Sequence, residues 1–221
     1  MPKKLSIALL LVAALLLTGC GGTVVTDLYV QDILEVVEGA EEPLFTLATI
    51  SVESPGDEYN QQVIELLEST FRDAANSRTM MQDYTTYVLL DVKIPIVDLD
   101  DFYQLWEDDD PIGIVVVDME DGTSGFGLSL NSDVLDPLFA EFSEQLWQPI
   151  SIADFTFTVR LLNDTRGVVA ATVQGVYANQ IPVSYEERFD LERRDVLEIK
   201  LGDVVRDAAY REGIAVLGVL E

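Results

Sequence analysis

The sequence contains no histidine and only one cysteine, and both shortages narrow the chemistry open to the protein. Histidine is the most common general base in enzymes and the most common ligand of zinc. Its absence lowers the odds of many hydrolase and metalloenzyme mechanisms. A single cysteine cannot form an internal disulfide, so the folded state has to be stabilised by packing.

Basic residues are also scarce. The chain has 13 Lys and Arg against 40 Asp and Glu, which gives a net charge of −27. Nucleic-acid binding depends on Lys and Arg that neutralise phosphates, so we expect no nucleic-acid partner. Anionic lipid headgroups should be repelled as well, and we expect the body to stand off from a bilayer or to bind cations. The simplest reason for such acidity is solubility.

One long apolar run is present, and it lies at the N-terminus. Lys3 and Lys4 precede a stretch over residues 5–17 that is apolar except for Ser6. This is about the length of the hydrophobic region of an export signal, whereas a transmembrane helix needs about 20 residues. We therefore predict a cleaved signal peptide over residues 1–19, and no other segment is apolar enough to span a membrane.

The residues that follow the apolar run carry a specific motif. Leu17-Thr18-Gly19-Cys20 resembles the lipobox of bacterial lipoproteins, with an aliphatic residue, two small residues and then cysteine. The resemblance implies that a signal peptidase recognises Leu17, Thr18 and Gly19 and that Cys20 carries a thioether-linked diacylglycerol. Two or more acyl chains anchor a protein stably, whereas one chain does not. The alternative is ordinary secretion with an incidental cysteine.

Cleavage before Cys20 would remove two lysines and change the net charge from −27 to −29. Residues 20–23 would then form the lipidated cysteine and a short flexible tether. The residue after the cysteine is Gly21 and not Asp. By the same resemblance this implies the outer membrane in a bacterium with two membranes, and the cell surface in one with a single membrane. Thr26-Asp27-Leu28-Tyr29 is similar to the opening of small uncharacterised bacterial lipoproteins and implies no activity.

Strand and helix patterns alternate in the mature chain, residues 24–221. Before Pro149 the patterns predict a β–α–β unit, a β-hairpin and a helix that Ser132 or Asp133 caps. After it they predict an antiparallel meander, then a strand, a helix that ends at Gly213, and a last strand. The fold class is therefore α+β, with a mixed, largely antiparallel sheet. One domain, or two subdomains over residues 24–148 and 149–221, are both compatible with this pattern.

Carboxylates are dense over residues 98–110, which also favour a short helix around residues 102–106. Their spacing is not that of an EF-hand, so a solvated acidic loop is the preferred interpretation and a calcium-dependent module is the alternative. Phe102, Tyr103 and Trp106 could stack on a sugar or peptide if they were exposed. At this spacing, however, such residues more often fill a core.

Enzymatic motifs are weak throughout. Gly122, Gly125 and Gly127 predict a hairpin turn, since a nucleotide-binding loop would need a helix to follow. Ser124, Ser129 and Ser143 have no histidine partner. A Ser–Lys dyad would need Lys93 or Lys200, and neither lies in a recognisable motif. A carboxylate-based hydrolase is the third hypothesis. We expect a non-enzymatic binding or scaffolding lipoprotein with an envelope protein partner, membrane lipid on Cys20 and no cofactor.

Overall fold

The structure is a computed structural model that describes residues 21–40, 43–119, 122–146 and 149–221, apart from the side chains of Trp106 and Glu107. Within these ranges, thirteen strands join one mixed sheet and five α-helices pack against it. This confirms the predicted α+β class and the largely antiparallel sheet. The predicted signal peptide over residues 1–19, with Leu17, Thr18 and Gly19, lies outside the described residues, as does Cys20.

The strands are β1 Gly22–Tyr29, β2 Leu44–Ser54, β3 Ala75–Gln82, β4 Thr85–Asp98, β5 Ile112–Asp118, β6 Ser124–Leu130, β7 Phe155–Leu162, β8 Val169–Val173, β9 Val176–Ala178, β10 Ile181–Val183, β11 Glu187–Leu191, β12 Val196–Leu201 and β13 Ile214–Leu220. The α-helices are α1 Val30–Val37, α2 Asn60–Thr70, α3 Phe102–Glu107, α4 Ser132–Leu146 and α5 Asp203–Glu212. Short 3-10 helices cover Asp57–Tyr59, Leu99–Asp101 and Ile152–Asp154.

The sheet runs in the order β10-β9-β12-β7-β1-β2-β4-β5-β6-β13-β8-β11, and β3 pairs with β4 beside this path. The first strand, β1, lies inside the sheet, between β2, which is antiparallel to it, and β7, which is parallel. The long strand β4 pairs with β3 near its start and with β5 near its end. The sheet thus contains strands from both sides of Pro149.

The core lies on one face of the central strands. Alternate residues of β1, β2 and β7 are buried, which is the period expected of a sheet with one covered face. Helices α2 and α4 contribute Leu67 and Leu138 to the interior beside Val24, Ile50 and Phe157. The other face of these strands is only partly covered, and side chains such as Leu47 and Lys93 are exposed there.

The predicted β–α–β unit is wrong, although its helix and both of its strands are present. β2 and β4 are neighbours, but they are antiparallel. The cause is β3, an additional strand that reverses the chain before β4 begins. All eight residues of β3 are exposed. Since neither face of this strand is buried, its sequence lacks the apolar alternation that would have predicted it.

The predicted antiparallel meander after residue 153 is also wrong. β7 pairs with β1 and β12, whereas β8 pairs with β11 and β13, so the two strands are not neighbours. Between them, Asn163 is fully buried, and its side-chain amide donates to the carbonyls of Gly167 and Leu191, each at 2.8 Å. This packed corner replaces a simple hairpin turn, because alternation predicts strands but not their partners.

Other local predictions are confirmed. β5 and β6 form the predicted hairpin. The chain ends in strand, helix and strand, and Gly213 closes α5 with a left-handed φ of 86°. The cap of α4 needs a correction, because Asn131, and not Ser132 or Asp133, supplies it. The Asn131 side chain accepts a hydrogen bond from the backbone N–H of Asp133 at 3.1 Å.

Candidate functional site

The first strand begins two residues after Cys20, so the predicted flexible tether is wrong for Gly22 and Thr23. Glycine is needed at position 22 for packing and not for mobility. A Cβ there would lie 2.2 Å from a ring carbon of Phe155, which stands beside it on β7. Only Gly21 separates Cys20 from the sheet. Two Cα steps span about 7 Å at most, so a lipid on Cys20 would hold this end of the sheet close to a membrane.

The direction of β1 gives the sheet two distinct ends. We call the end at which β1 starts, at Gly22, the proximal end, and the end at which it stops, at Tyr29, the distal end. At a rise of about 3.3 Å per residue, β1 covers about 23 Å between them. Whatever lies at the distal end is therefore separated from Cys20 by most of the length of the sheet.

The distal end holds a cleft with a volume of about 660 Å³. It is formed where α1 ends, β2 starts, and β4 and β5 end. The lining residues are Val36, Val37, Gly39, Ala40, Pro43, Leu44, Pro95, Ile96, Val97, Asp98, Leu99, Asp100, Asp101, Gln104, Val117 and Asp118. Four of these residues are aspartates, several are aliphatic, and no basic residue is among them. Such a lining attracts cations and can also bury apolar groups.

The acidic wall of the cleft has a defined backbone. The Asp98 carboxylate accepts a hydrogen bond from the backbone N–H of Asp100 at 2.8 Å and so begins the 3-10 turn that leads into α3. Leu99 on this turn is 41% exposed. Asp100 and Asp101 are exposed as well, and their carboxylates remain available to a ligand.

The sequence suggested that the aromatic residues of α3 fill the core, but not all of them do. Tyr103 is 75% exposed and lies beside Gln104 of the cleft, with its ring centroid 5.8 Å from that of Phe102. Leu105 makes the buried contact instead and is only 3% exposed. The preference for a core role is therefore wrong for Tyr103, and the Trp106 side chain lies outside the described residues.

The C-terminal end of the acidic segment, at Asp110, contacts Arg72 and not the cleft. Asp110 is buried and pairs with Arg72, whose Nε lies 3.4 Å from its Oδ1. Burial raises the pKa of Asp110, and the guanidinium of Arg72 opposes that rise. Residues 98–110 thus divide between the cleft and this ion pair. Across the part of the chain that the structure describes, no three Asp, Glu or Cys side chains are arranged to hold a metal ion.

Most of the serines and lysines considered for nucleophilic catalysis are buried or already paired with another residue. The Ser143 hydroxyl donates to the carbonyl of Phe139 inside α4, at 2.8 Å. Lys93 forms an ion pair with Asp73 at 3.0 Å on the uncovered face of the sheet. Ser124 and Ser129 are buried on β6. Lys200 lies on β12, and the structure does not combine these residues into a dyad.

Sequence reasoning missed one buried charge at the proximal end. Arg206 on α5 is 8% exposed and donates to Asp203 at 3.0 Å and to Asp207 at 2.8 Å. It also donates to the carbonyls of Ala153 and Phe155 at 3.2 and 3.4 Å. The guanidinium thereby fastens α5 to the start of β7. The closely spaced acids around Arg206 were the only sequence signal of this pairing.

These features define a class of protein: an α+β protein with one mixed sheet, a cleft at one end and the start of its first strand at the other. The chain belongs to the family described as a domain of unknown function (DUF7424), whose model matches residues 22–221. The match starts at the first residue of β1. No curated protein and no solved structure shows significant similarity to the chain.

Helix length and apolar character decide whether a segment can cross a membrane. In the ranges that the structure covers, no helix combines the length and the apolar character that crossing a bilayer requires.

Proposed function

We propose that the protein is a cell-envelope lipoprotein, held to a membrane by lipid on Cys20, and that its distal cleft binds another envelope component. In this proposal the body is a binding or scaffolding module and not an enzyme. The observation that carries it is the placement of the cleft. It opens at the end of the sheet opposite to the one that Cys20 precedes.

This placement suits an anchored binding protein. Lipid on Cys20 would hold the proximal end near the membrane, because Gly21 is the only residue between the cysteine and β1. The cleft would then face away from the bilayer at a height of about 23 Å or more, the length of β1. The motif Leu17-Thr18-Gly19-Cys20 supports export and lipidation, with the outer membrane as the destination in a bacterium with two membranes and the cell surface in one with a single membrane.

The lining of the cleft suggests the chemistry of its ligand. Four aspartates with no basic residue among them favour a positively charged partner. The aliphatic residues beside them, such as Val36 and Leu44, suit the methylene stems of Lys and Arg or a neighbouring apolar side chain. We therefore propose a basic, partly apolar segment of an envelope protein as the ligand.

The anchor is tested by substitution of one thiol. Cys20→Ser should abolish incorporation of an alkyne fatty acid in metabolic labelling and move the protein out of the membrane fraction. The matched control is Gly21→Ala, which keeps the whole Leu17-Thr18-Gly19-Cys20 motif. Label on Cys20→Ser equal to that on the natural chain would contradict the proposal.

The cleft is tested by neutral isosteres of its exposed carboxylates. Asp101→Asn with Asp118→Asn should weaken binding of an amphipathic lysine–leucine peptide about tenfold at 0.1 M salt. The control is Glu141→Gln with Glu144→Gln, which removes the same charge from exposed positions on α4. If both pairs weaken binding equally, the peptide responds only to net charge and the cleft is not the site.

A further inference from the structure

We infer that the tip of the β3–β4 hairpin is a second membrane contact, which enters the headgroup region of a zwitterionic bilayer beside the lipid anchor. The hairpin tip is defined here as Met81 to Tyr84. This inference rests on the proposed anchor at Cys20, and it concerns a surface that anchoring alone does not require.

The register of the sheet places the tip at the height of the anchor. Gly22 pairs with Val52, and Val52 pairs with Val88, so these three residues form a row across β1, β2 and β4. Tyr84 lies four residues beyond Val88 toward the proximal end, or about 13 Å at the rise of a strand. Cys20 can lie at most about 7 Å beyond Gly22. β1 and β4 are two strands apart, about 10 Å, so the tip lies beside the start of β1 and extends farther in the proximal direction than Cys20 can.

The tip carries the kind of side chains that enter a membrane interface. Tyr84 is fully exposed, and Met81 is 70% exposed. The amphipathic ring of tyrosine is favoured at the level of lipid headgroups, and the flexible thioether of methionine adapts to irregular apolar surroundings. In water, the exposed apolar surface of these two side chains does not stabilise the fold.

Tyrosine is also a poor choice for the turn itself. Asp83 and Tyr84 have φ values of 49° and 69°, which matches the positive φ that a two-residue type I′ turn requires at both positions. Glycine or asparagine normally occupies such a second position, because a Cβ and a bulky ring are strained there. The residue at position 84 therefore costs the fold some stability and exposes an aromatic ring at the same time.

A second hairpin provides an internal comparison. Asn179 and Gln180 join β9 to β10 with the same φ values of 49° and 69°. Because β9 runs parallel to β1 through its pairing with β12 and β7, this turn points toward the distal end. Its two turn residues are polar, although Ile181 directly after them is 65% exposed. At the second turn position itself, the side chain is thus aromatic at the end near Cys20 and polar at the end away from it.

The hairpin is fixed firmly enough to present its tip. The Asp91 carboxylate on β4 accepts hydrogen bonds from Thr49 at 2.9 Å and Asn76 at 3.2 Å, and it pairs with Arg78 at 3.1 Å. Burial acts to raise the pKa of Asp91, but these three donors outweigh it and the pKa is lowered. The carboxylate therefore stays ionised and ties β3 to β4 and β2.

Weak insertion suffices in this arrangement. An anchor that precedes β1, two strands from β4, would give the tip a high effective concentration at the lipid surface, so a contact too weak to bind on its own would still be populated. Asp83 within the tip, and Asp57, which accepts a hydrogen bond from Thr86 close to the tip, select against anionic lipid. A zwitterionic surface is the one that fits both the apolar tip and the charge of the chain.

The test compares the two turns in the full-length, lipidated protein on phosphatidylcholine vesicles. Asp83→Cys and Asn179→Cys each introduce one thiol at the same turn position, for a fluorophore that responds to polarity. We expect the probe at position 83 to shift to the blue and to be quenched at least threefold more by brominated lipid than the probe at 179. Tyr84→Gly with Met81→Gln in the Asp83→Cys chain should abolish this difference, while the melting temperature stays equal or rises.

Each outcome decides a separate point. Flotation with the vesicles reports the anchor, and its failure would overturn the proposed function together with this inference. Flotation with equal, water-like emission at positions 83 and 179 would leave the anchor intact and overturn the inference alone. Tip exposure would then point to a protein partner. Stronger quenching on vesicles with anionic lipid than on phosphatidylcholine would contradict the choice of a zwitterionic surface.

Discussion

The two ends of the sheet meet their surroundings in opposite ways, although β1, β2 and β4 run through both. At the proximal end a hairpin projects beyond the sheet and exposes Met81 and Tyr84. At the distal end the strands stop around a concave cleft whose wall carries carboxylates. In a protein that is free in solution, nothing requires the two ends of these strands to differ in this way. The difference is what a fixed orientation toward a membrane would produce, and it can be broken or sharpened by experiment.

The largest effect is expected at the distal end, where a buried amide holds a corner together. Asn163→Ala removes the donors to the carbonyls of Gly167 and Leu191, and Thr165 offers Gly167 only a hydrogen bond of 3.4 Å in their place. We expect a loss of about 2–3 kcal/mol in the free energy of unfolding, measured in urea. The exposed Gln174→Ala should change it by less than about 0.5 kcal/mol. Similar values for both variants would show that the corner is not held by this amide.

At the proximal end, one glycine should matter and its neighbour should not. Gly22→Ala brings a Cβ onto the ring of Phe155, which cannot turn away freely because it packs against the rings of Phe139 and Phe157. We expect a cost of about 1–3 kcal/mol in urea. At Gly21 the nearest atom to a new Cβ is the carbonyl oxygen of Asp154 at 3.5 Å, so Gly21→Ala should be neutral. If Gly22→Ala does not change the free energy of unfolding, residue 22 belongs to a flexible tether as the sequence predicted.

A smaller effect is expected from crowded carboxylates where α1 leaves the distal end of β1. Burial raises the pKa of Asp32, and the charges of Asp164 and Glu35 raise it further. The folded state therefore binds a proton more readily than the unfolded state, and this contribution to stability falls as the pH rises through the folded pKa. Asp32→Asn should be more stable than the natural chain at pH 7, by about 0.5 kcal/mol.

The pH profile provides the control for that substitution. The advantage of Asp32→Asn should shrink as the pH is lowered through the folded pKa, because the natural side chain then becomes neutral too. Glu38→Gln, an exposed change of the same charge just after α1, is measured in the same pH series for comparison. A difference between Asp32→Asn and the natural chain that stays constant with pH would indicate a cause other than charge.

The smallest effect is expected from calcium. Sodium chloride should stabilise the fold gradually by screening its negative charge. Calcium chloride at equal ionic strength should add little, whereas a specific site would add about 2.7 kcal/mol at a hundredfold excess over Kd. If calcium adds a large further increase in stability, and Asp100→Asn with Asp101→Asn abolishes it, the wall of the cleft is a metal site. That result would also revive the calcium-dependent alternative.

Local elements of this fold could be predicted where their residues alternate between interior and solvent. β7 and β12 show that alternation, and Gly213 marks the end of α5. Strand partners could not be predicted, because pairing depends on contacts between segments far apart in the chain. β7 lies beside β1, more than 100 residues away in the sequence. β3 escaped prediction because both of its faces are exposed.

The candidate sites show the same limit. The motif that ends in Cys20 is local, so the sequence alone predicts it. The cleft is assembled from three separate parts of the chain, around residues 36–44, 95–104 and 117–118, so no short window contains its lining. The turn at Tyr84 was not predicted, because it lacks the Asn-Gly or Asp-Gly pair that marks most hairpins. Its significance depends on the height of Gly22, which only the register of three strands reveals.

The central position of β1 has a mechanical consequence for an anchored protein. β1 is hydrogen-bonded to β2 on one side and to β7 on the other. A pull on Cys20 along the strand would load both ladders in shear, so that many bonds share the force at once, whereas a strand at an edge can be peeled off one bond at a time. If the anchored protein is pulled through its partner, we therefore expect the lipid to leave the membrane before β1 separates from the sheet.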